Sequence, residues 1–185
     1  MKMSNWITPA NVSVGEKSAK DIKQWIANSN GNVAVITGSR GDEILEILGI
    51  PKNSNPSVLH LSQQGGEPEL HQILKMVRKA KEHKVTSVVG IGGGSAMDAA
   101  KAIAALSVVS KDEDPLQYLE VIGEGKTLPH KALPVAAIPT TAGSGAEATK
   151  NAVILSKAHK LKVSLRHPSI VPSNVYLDPK LSLSM

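Results

Sequence analysis

Two stretches of this chain carry residue types at spacings suited to chemistry. The first is Gly90-Ile91-Gly92-Gly93-Gly94-Ser95-Ala96-Met97-Asp98-Ala99-Ala100-Lys101, between an apolar run from Val85 to Val89 and a small-residue helical run through Leu106. A strand, a glycine turn and a helix start, in that order, aim backbone N–H groups at a phosphate. Gly92, Gly93 and Gly94 let backbone turn tightly and a phosphate approach closely. Ser95 is a suitable N-cap, with Asp98 completing the capping pattern, and Lys101 is spaced to pair with Asp98 across the helix surface. The same residues would also serve as a bare strand-to-helix turn. The spacing departs from the dinucleotide fingerprint, because Gly90 and Gly92 fit its first two glycines while Ser95 stands at the third.

The second stretch is Pro139-Thr140-Thr141-Ala142-Gly143-Ser144-Gly145-Ala146-Glu147-Ala148-Thr149, a glycine-hinged loop offering hydroxyls at Thr140, Thr141, Ser144 and Thr149. In an open α/β sheet, ligands sit in the crevice beyond the carboxyl ends of strands. Two such loops at two such ends would converge on one pyrophosphate and its ribose; taken alone, the second is equally a tight connector.

The elements that must position these loops alternate. Val12–Gly15 reads as a strand and turn, Ser18–Ala27 as a helix, and Val33–Thr37 as a strand buried on both faces. After Gly38-Ser39-Arg40-Gly41 helical spacing resumes from Asp42 to Leu48. Pro51–Pro56 is a loop, Val58–Leu61 a third strand, and Glu69–His83 the longest amphipathic helix. Val85–Ile91 and the helix to Leu106 follow, then an irregular Asp112–Gly125 with a single turn near Leu116–Leu119. Pro134–Pro139 is a strand bracketed by prolines. Ala152–Leu155 and Lys162–Leu165 read as a hairpin, and Val175–Pro179 as a last strand. The expected fold is α/β, a Rossmann-like doubly wound parallel sheet with an added β-hairpin.

Composition agrees with one domain, or one and a small extension. The chain has 185 residues, 41% of them hydrophobic, with no Phe, two Trp and two Tyr. Such a core is built from Val, Ile, Leu and Ala, as buried parallel strands and their helices require. With no Cys there is neither disulfide nor thiolate chemistry, which points to the cytoplasm. The net charge of +5 is spread along the chain, aromatic stacking platforms are scarce, and no nucleic-acid partner is expected. No apolar run approaches the ~20 residues that span a membrane, and Met1–Trp6 lacks the apolar core of a leader.

Together, GGGSxxDxAK and PTTAGSGxE resemble the iron-containing (group III) alcohol dehydrogenases. The likeness continues in Lys162, Pro172 and Leu177-Asp178-Pro179-Lys180-Leu181-Ser182, and is weakest from Pro51 to Pro68. It implies an NAD(P)-dependent oxidoreductase interconverting alcohols and aldehydes or ketones, with an N-terminal nucleotide-binding domain and a C-terminal all-helical domain. By this resemblance Gly92, Gly93, Gly94 and Ser95 hold the pyrophosphate, and Asp98 stabilises that turn or faces the cofactor. Thr140, Thr141 and Ser144 line the phosphate and ribose, and Asn151 and Lys162 lie near the nicotinamide ribose.

Three departures shape the expectation. NAD-using members carry Asp after the second strand, where this chain has Gly38, Ser39 and Arg40; a hydroxyl and a guanidinium there favour a 2′-phosphate, hence NADP(H) over NAD(H). Arg40 read without the resemblance is simply a solvated residue at a helix start. Glu67 precedes Pro68 where the family has Asn-Pro, which puts an adenine contact there in doubt. The family's divalent metal, iron or zinc, is held by an Asp and three His of the helical domain. None of the six His here (His60, His71, His83, His130, His159 and His167) stands at such a position, and His130, His159 and His167 read as surface residues. The expectation is therefore a dinucleotide-binding domain over residues 1–185, the metal-binding domain missing, present as a fragment or truncated product and inactive alone. An exposed apolar face would make it a homo-oligomer. Alternatives are a stand-alone nucleotide-binding module and a dehydroquinate synthase-like or glycerol-type dehydrogenase relative.

Overall fold

The computed structural model describes residues 7–50, 52, 55, 57–63 and 65–183. Met1–Trp6 and most of the loop expected over Pro51–Pro56 lie outside the described residues. Six strands form one parallel sheet: β1 (Asn11–Val14), β2 (Asn32–Thr37), β3 (Val58–Ser62), β4 (Val85–Gly92), β5 (Val135–Pro139) and β8 (Asn174–Leu177). Their spatial order is β1-β8-β5-β4-β2-β3. The runs of Val, Ile and Ala in β2, β4 and β5 are buried along almost their whole length, which explains why none alternates with polar residues.

Alternate residues of each central strand feed two cores. Val33, Val35, Val89, Ile91, Ala136 and Ile138 face α1 (Ile22–Ala27) and α2 (Gly41–Leu48) through Ile22, Ile44, Leu45 and Leu48. Ala34, Ile36, Val88 and Val135 face the opposite layer, where α3 (Leu70–Glu82) and α4 (Gly94–Leu106) contribute Ile73, Val77, Ala80 and Ile103. The sheet is doubly wound, as expected. The hairpin of β6 (Asn151–Ser156) and β7 (Leu161–Arg166) lays Ala152, Ile154, Val163 and Leu165 on the second core, against α4.

Covered by sheet and hairpin, α4 is buried on nearly every side, and its Ala-rich composition lets those layers approach. Ile103 and Leu106 are fully buried, each contributing roughly 1.5–3 kcal/mol of apolar burial.

One helix differs from expectation. Ser18–Asp21 is a 3-10 turn, and only Ile22–Ala27 is α-helical. Ala19 and Ile22 are both completely buried, and a three-residue period stacks them on the same side. Among the described residues, no helix is long and apolar enough to cross a membrane.

The chain runs from β2 to β3 toward one edge, and from β4 to β5 toward the other. The switch point lies between β2 and β4, where a crevice opens at the carboxyl ends. Strand register levels those ends: Thr37 pairs with Ser62 and with Ile91, Ile91 with Ile138, and Gly92 with Pro139.

Candidate functional site

The crevice holds two adjoining cavities that share Gly66 and Ser95. One lies over the ends of β2, β4 and β5 and is lined by Gly38, Ser39 and Arg40 from the first, Gly92, Gly93 and Ser95 from the second, and Thr140 and Thr141 from the third. The other extends toward the hairpin and is lined by Gly94, Ser95 and Asp98 of α4, Ser144 of the loop after β5, and Asn151 and Lys162 of β6 and β7. Gly92, Gly93, Gly94, Ser95 and Asp98 of the glycine stretch, Thr140, Thr141, Ser144 and Thr149 of the hydroxyl loop, and the Gly38–Arg40 turn thus border these two adjoining cavities, while Lys101 lies beneath them.

Backbone geometry explains the glycines. Gly92 has φ +145°, and a Cβ there would meet the Ala96 Cβ at 2.8 Å and the Gly38 nitrogen at 3.2 Å. The turns after β2 and β4 therefore touch backbone to backbone, a contact only glycine permits. At Gly94 a Cβ would stand 2.9 Å from Ser144 Oγ, so the start of α4 and the hydroxyl loop pack closely there.

The expected capping box is absent. The residue preceding α4 is Gly93, extended and without a side-chain cap, and Ser95 lies inside the helix. No side chain caps the start of α4, whose Ala96 N–H donates to the Gly93 carbonyl at 3.1 Å; a helix start of this kind, at the positive end of the dipole, suits an anion.

Asp98 instead pairs with Lys101, Nζ to Oδ1 2.9 Å. This is no surface pair, as the sequence spacing suggested: Lys101 is completely buried. Its ammonium also donates to the Ala146 carbonyl (2.8 Å), Thr149 Oγ1 (3.1 Å) and the Asn151 carbonyl. Burial pushes the Asp98 carboxyl up against the opposing pull of Lys101, and pushes the Lys101 ammonium down against the pull of Asp98.

Arg40 is not a free guanidinium. Its Nε and one Nη donate to Glu43 at 2.9 and 2.7 Å, which raises the arginine and lowers the carboxyl. Its other nitrogen, Nη1, is buried without a hydrogen-bond partner among the described residues. At the far cavity, Lys162 Nζ pairs with Glu67 Oε1 at 2.7 Å, so the departure at Glu67 meets the residue expected near the nicotinamide ribose.

Sequence reasoning missed Gln63, which lines the first cavity from the end of β3. Its signal was positional: β3 is a parallel strand ending level with β2, so the residue after it faces the same crevice. His130 and His159 are exposed, as read, but His167 is half-buried; its Nδ1 accepts from the Ser169 N–H and caps the turn Pro168–Ile170. Among the described residues no three His, Cys, Asp or Glu side chains converge to hold a metal ion. These residues do not fit the metal that the resemblance implies.

Known proteins share this frame. A family model described as iron-containing alcohol dehydrogenase matches residues 9–179. The probable alcohol dehydrogenase EutG of Salmonella typhimurium is 39% identical over 113 residues, 61% of this chain and 27% of that protein. The mitochondrial hydroxyacid-oxoacid transhydrogenase of Xenopus tropicalis is 30% identical over 181 residues, 95% of this chain and 39% of that protein. Among solved structures, sulfoacetaldehyde reductase from Bifidobacterium kashiwanohense, in complex with NAD+, superposes with a TM-score of 0.83 at 24% identity, covering 100% of this chain and 48% of that one. NADH-dependent butanol dehydrogenase A from Thermotoga maritima superposes at 0.81 with 24% identity, covering 100% and 46%. The chain spans less than two fifths of the curated relatives' length and about half of the solved chains.

Proposed function

This chain belongs to the iron-containing alcohol dehydrogenase family, and on that premise we propose that residues 1–185 are the dinucleotide-binding domain of an NAD(P)-dependent oxidoreductase. The reaction is the interconversion of an alcohol and an aldehyde or ketone. The observation that carries this reading is the convergence of the Gly92–Ser95 turn and the Thr140–Ser144 loop on one depression at the switch point.

The cofactor fits the residues present. The glycine turn packs backbone against its neighbours where a Cβ would collide, and the uncapped start of α4 suits a pyrophosphate. Thr140 and Thr141 offer hydroxyls to phosphate and ribose. Ser144, Asn151 and Lys162 border the extension of the depression toward the hairpin, where the nicotinamide half lies. Lys101 holds the hydroxyl loop and the start of β6 against α4, so it orients that half without contacting it. When bound, the nicotinamide supplies or accepts the hydride.

Gly38, Ser39 and Arg40 favour a 2′-phosphate and therefore NADP(H), the unpartnered Nη1 of Arg40 being the group left to bind it. This chain by itself binds cofactor without turnover.

Calorimetric titration of the chain with NADPH and NADH tests the reading. Saturable binding of both, tighter for NADPH, is expected, with no hydride transfer to added aldehydes. Absence of binding overturns the cofactor reading; NADH affinity equal to or better than that for NADPH overturns the preference alone.

A further inference from the structure

Among the described residues, Gln63 is one of two side chains, with His60, whose polar atoms are both buried and unpartnered. Gln63 is 1% exposed, and neither Oε1 nor Nε2 has a hydrogen-bond partner among the described residues. An amide buried this way normally finds partners, because desolvating it without compensation is costly. A buried, unpaired amide at the wall of a cavity is what a site shows when its partner is a ligand.

Its surroundings identify which part of a ligand. The Gln63 N–H donates to the Thr37 carbonyl at 2.8 Å, extending the β2–β3 ladder by one step and holding Gln63 abreast of the residue before Gly38. Gln63 lines the same cavity as Ser39 and Arg40, whose Nη1 is likewise buried and unpartnered. An unpartnered carboxamide and one unpartnered guanidinium nitrogen thus border one cavity, at the end away from the hairpin. With the pyrophosphate on the start of α4, this end takes the adenosine ribose.

We propose that Gln63 reads the adenosine ribose 2′-substituent of the bound dinucleotide, an assignment that rests on the cofactor reading above. A carboxamide carries both a donor and an acceptor. Nε2 donates to an oxygen of a 2′-phosphate, and Oε1 accepts from a 2′-hydroxyl. Gln63 therefore lets the pocket hold both cofactor forms, while Arg40 adds affinity for the phosphorylated one alone. This division makes the preference adjustable at a single side chain: a carboxylate there still accepts from the hydroxyl but repels the phosphate.

The test uses 2′,5′-ADP and 5′-AMP as probes of the adenosine half, titrated calorimetrically against the chain and its variants. Gln63→Glu is expected to weaken 2′,5′-ADP by at least about tenfold, the loss of one charge-assisted contact plus repulsion, while 5′-AMP binds as before or tighter. Gln63→Met keeps the volume without the amide. It is expected to weaken both probes and to raise the thermal midpoint, because an unpaired buried amide is gone. A purely structural glutamine would give the opposite pattern, a lowered midpoint with unchanged probe affinities, and would overturn the proposal. So would variants that bind both probes like the parent chain while Arg40→Ala loses 2′,5′-ADP; that result leaves the pocket reading standing. A parent chain that binds neither probe overturns the pocket reading and this assignment with it.

Discussion

Lys101 Nζ stands 2.9 Å from Asp98 Oδ1, one helical turn apart, with the lysine wholly out of solvent. Three N–H donors are shared among that carboxylate, the carbonyls of Ala146 and Asn151, and Thr149 Oγ1. One ammonium therefore ties α4, the hydroxyl loop and the first hairpin strand into a single unit, and the cavity toward the hairpin keeps its shape through it.

Removing that ammonium leaves a half-buried carboxylate without its counter-charge and takes one donor each from the Ala146 and Asn151 carbonyls. Lys101→Met is expected to destabilise the chain by about 3–5 kcal/mol in urea unfolding, the cost typical of breaking a buried pair from one side. Adding Asp98→Leu to it should recover part of that loss, because the orphaned charge goes too. A single variant as stable as the parent chain would show that the pair contributes nothing.

The Gly92 turn leaves no room for a side chain. Gly92→Ala combines a left-handed φ with contacts at 2.8 and 3.2 Å. It is expected to cost about 1–3 kcal/mol of stability and to abolish NADPH and NADH binding together. Thermal unfolding read beside calorimetry checks both, and retained binding would separate the turn from the cofactor.

Glu43 competes for Arg40. Glu43→Gln removes that carboxylate and frees the guanidinium, so NADPH affinity should rise roughly threefold to tenfold while NADH affinity stays constant. Arg40→Ala should lower NADPH affinity by about tenfold and leave NADH within about twofold. Equal effects on the two cofactors would remove Arg40 from the phosphate site.

Two imidazoles make the fold sensitive to acid. Burial pushes His60 below the ordinary imidazole value of 6.5, with Lys52 adding to it and Asp42 opposing, and burial alone lowers His167. The unfolded chain then takes up protons more readily than the folded one. Stability from these groups is present above 6.5 and is lost as pH falls from there through their folded values. The thermal midpoint should fall across that window, and His60→Phe should flatten the fall; a midpoint unchanged by acidification would contradict both.

The secondary elements were legible in the sequence because their signals are local. Unbroken apolar runs mark β2, β4 and β5, and glycine and proline mark their ends. The hairpin lies where the arms Ala152–Leu155 and Lys162–Leu165 were read, extended to Asn151–Ser156 and Leu161–Arg166. Both loops at the cavities were legible for the same reason, since a glycine turn after a buried strand declares its geometry within a few residues.

What the tertiary structure alone decided is which groups meet and which lose water. Ser95 has the composition of a cap, yet the turn of Gly92 against Gly38 starts α4 one residue after Gly93 and places the serine inside the helix. Lys101 has surface spacing, yet the hairpin folds over it and converts a weak exposed pair into a buried clamp. Arg40 promises a free cation, yet Glu43 one turn on takes two of its donors. Gln63 carries no motif at all; only the register of β3 against β2 brings its amide to the cavity wall. Local sequence sets backbone preference through sterics and periodicity. Partnership and desolvation depend on residues distant in the chain, and those only the assembled layers bring together.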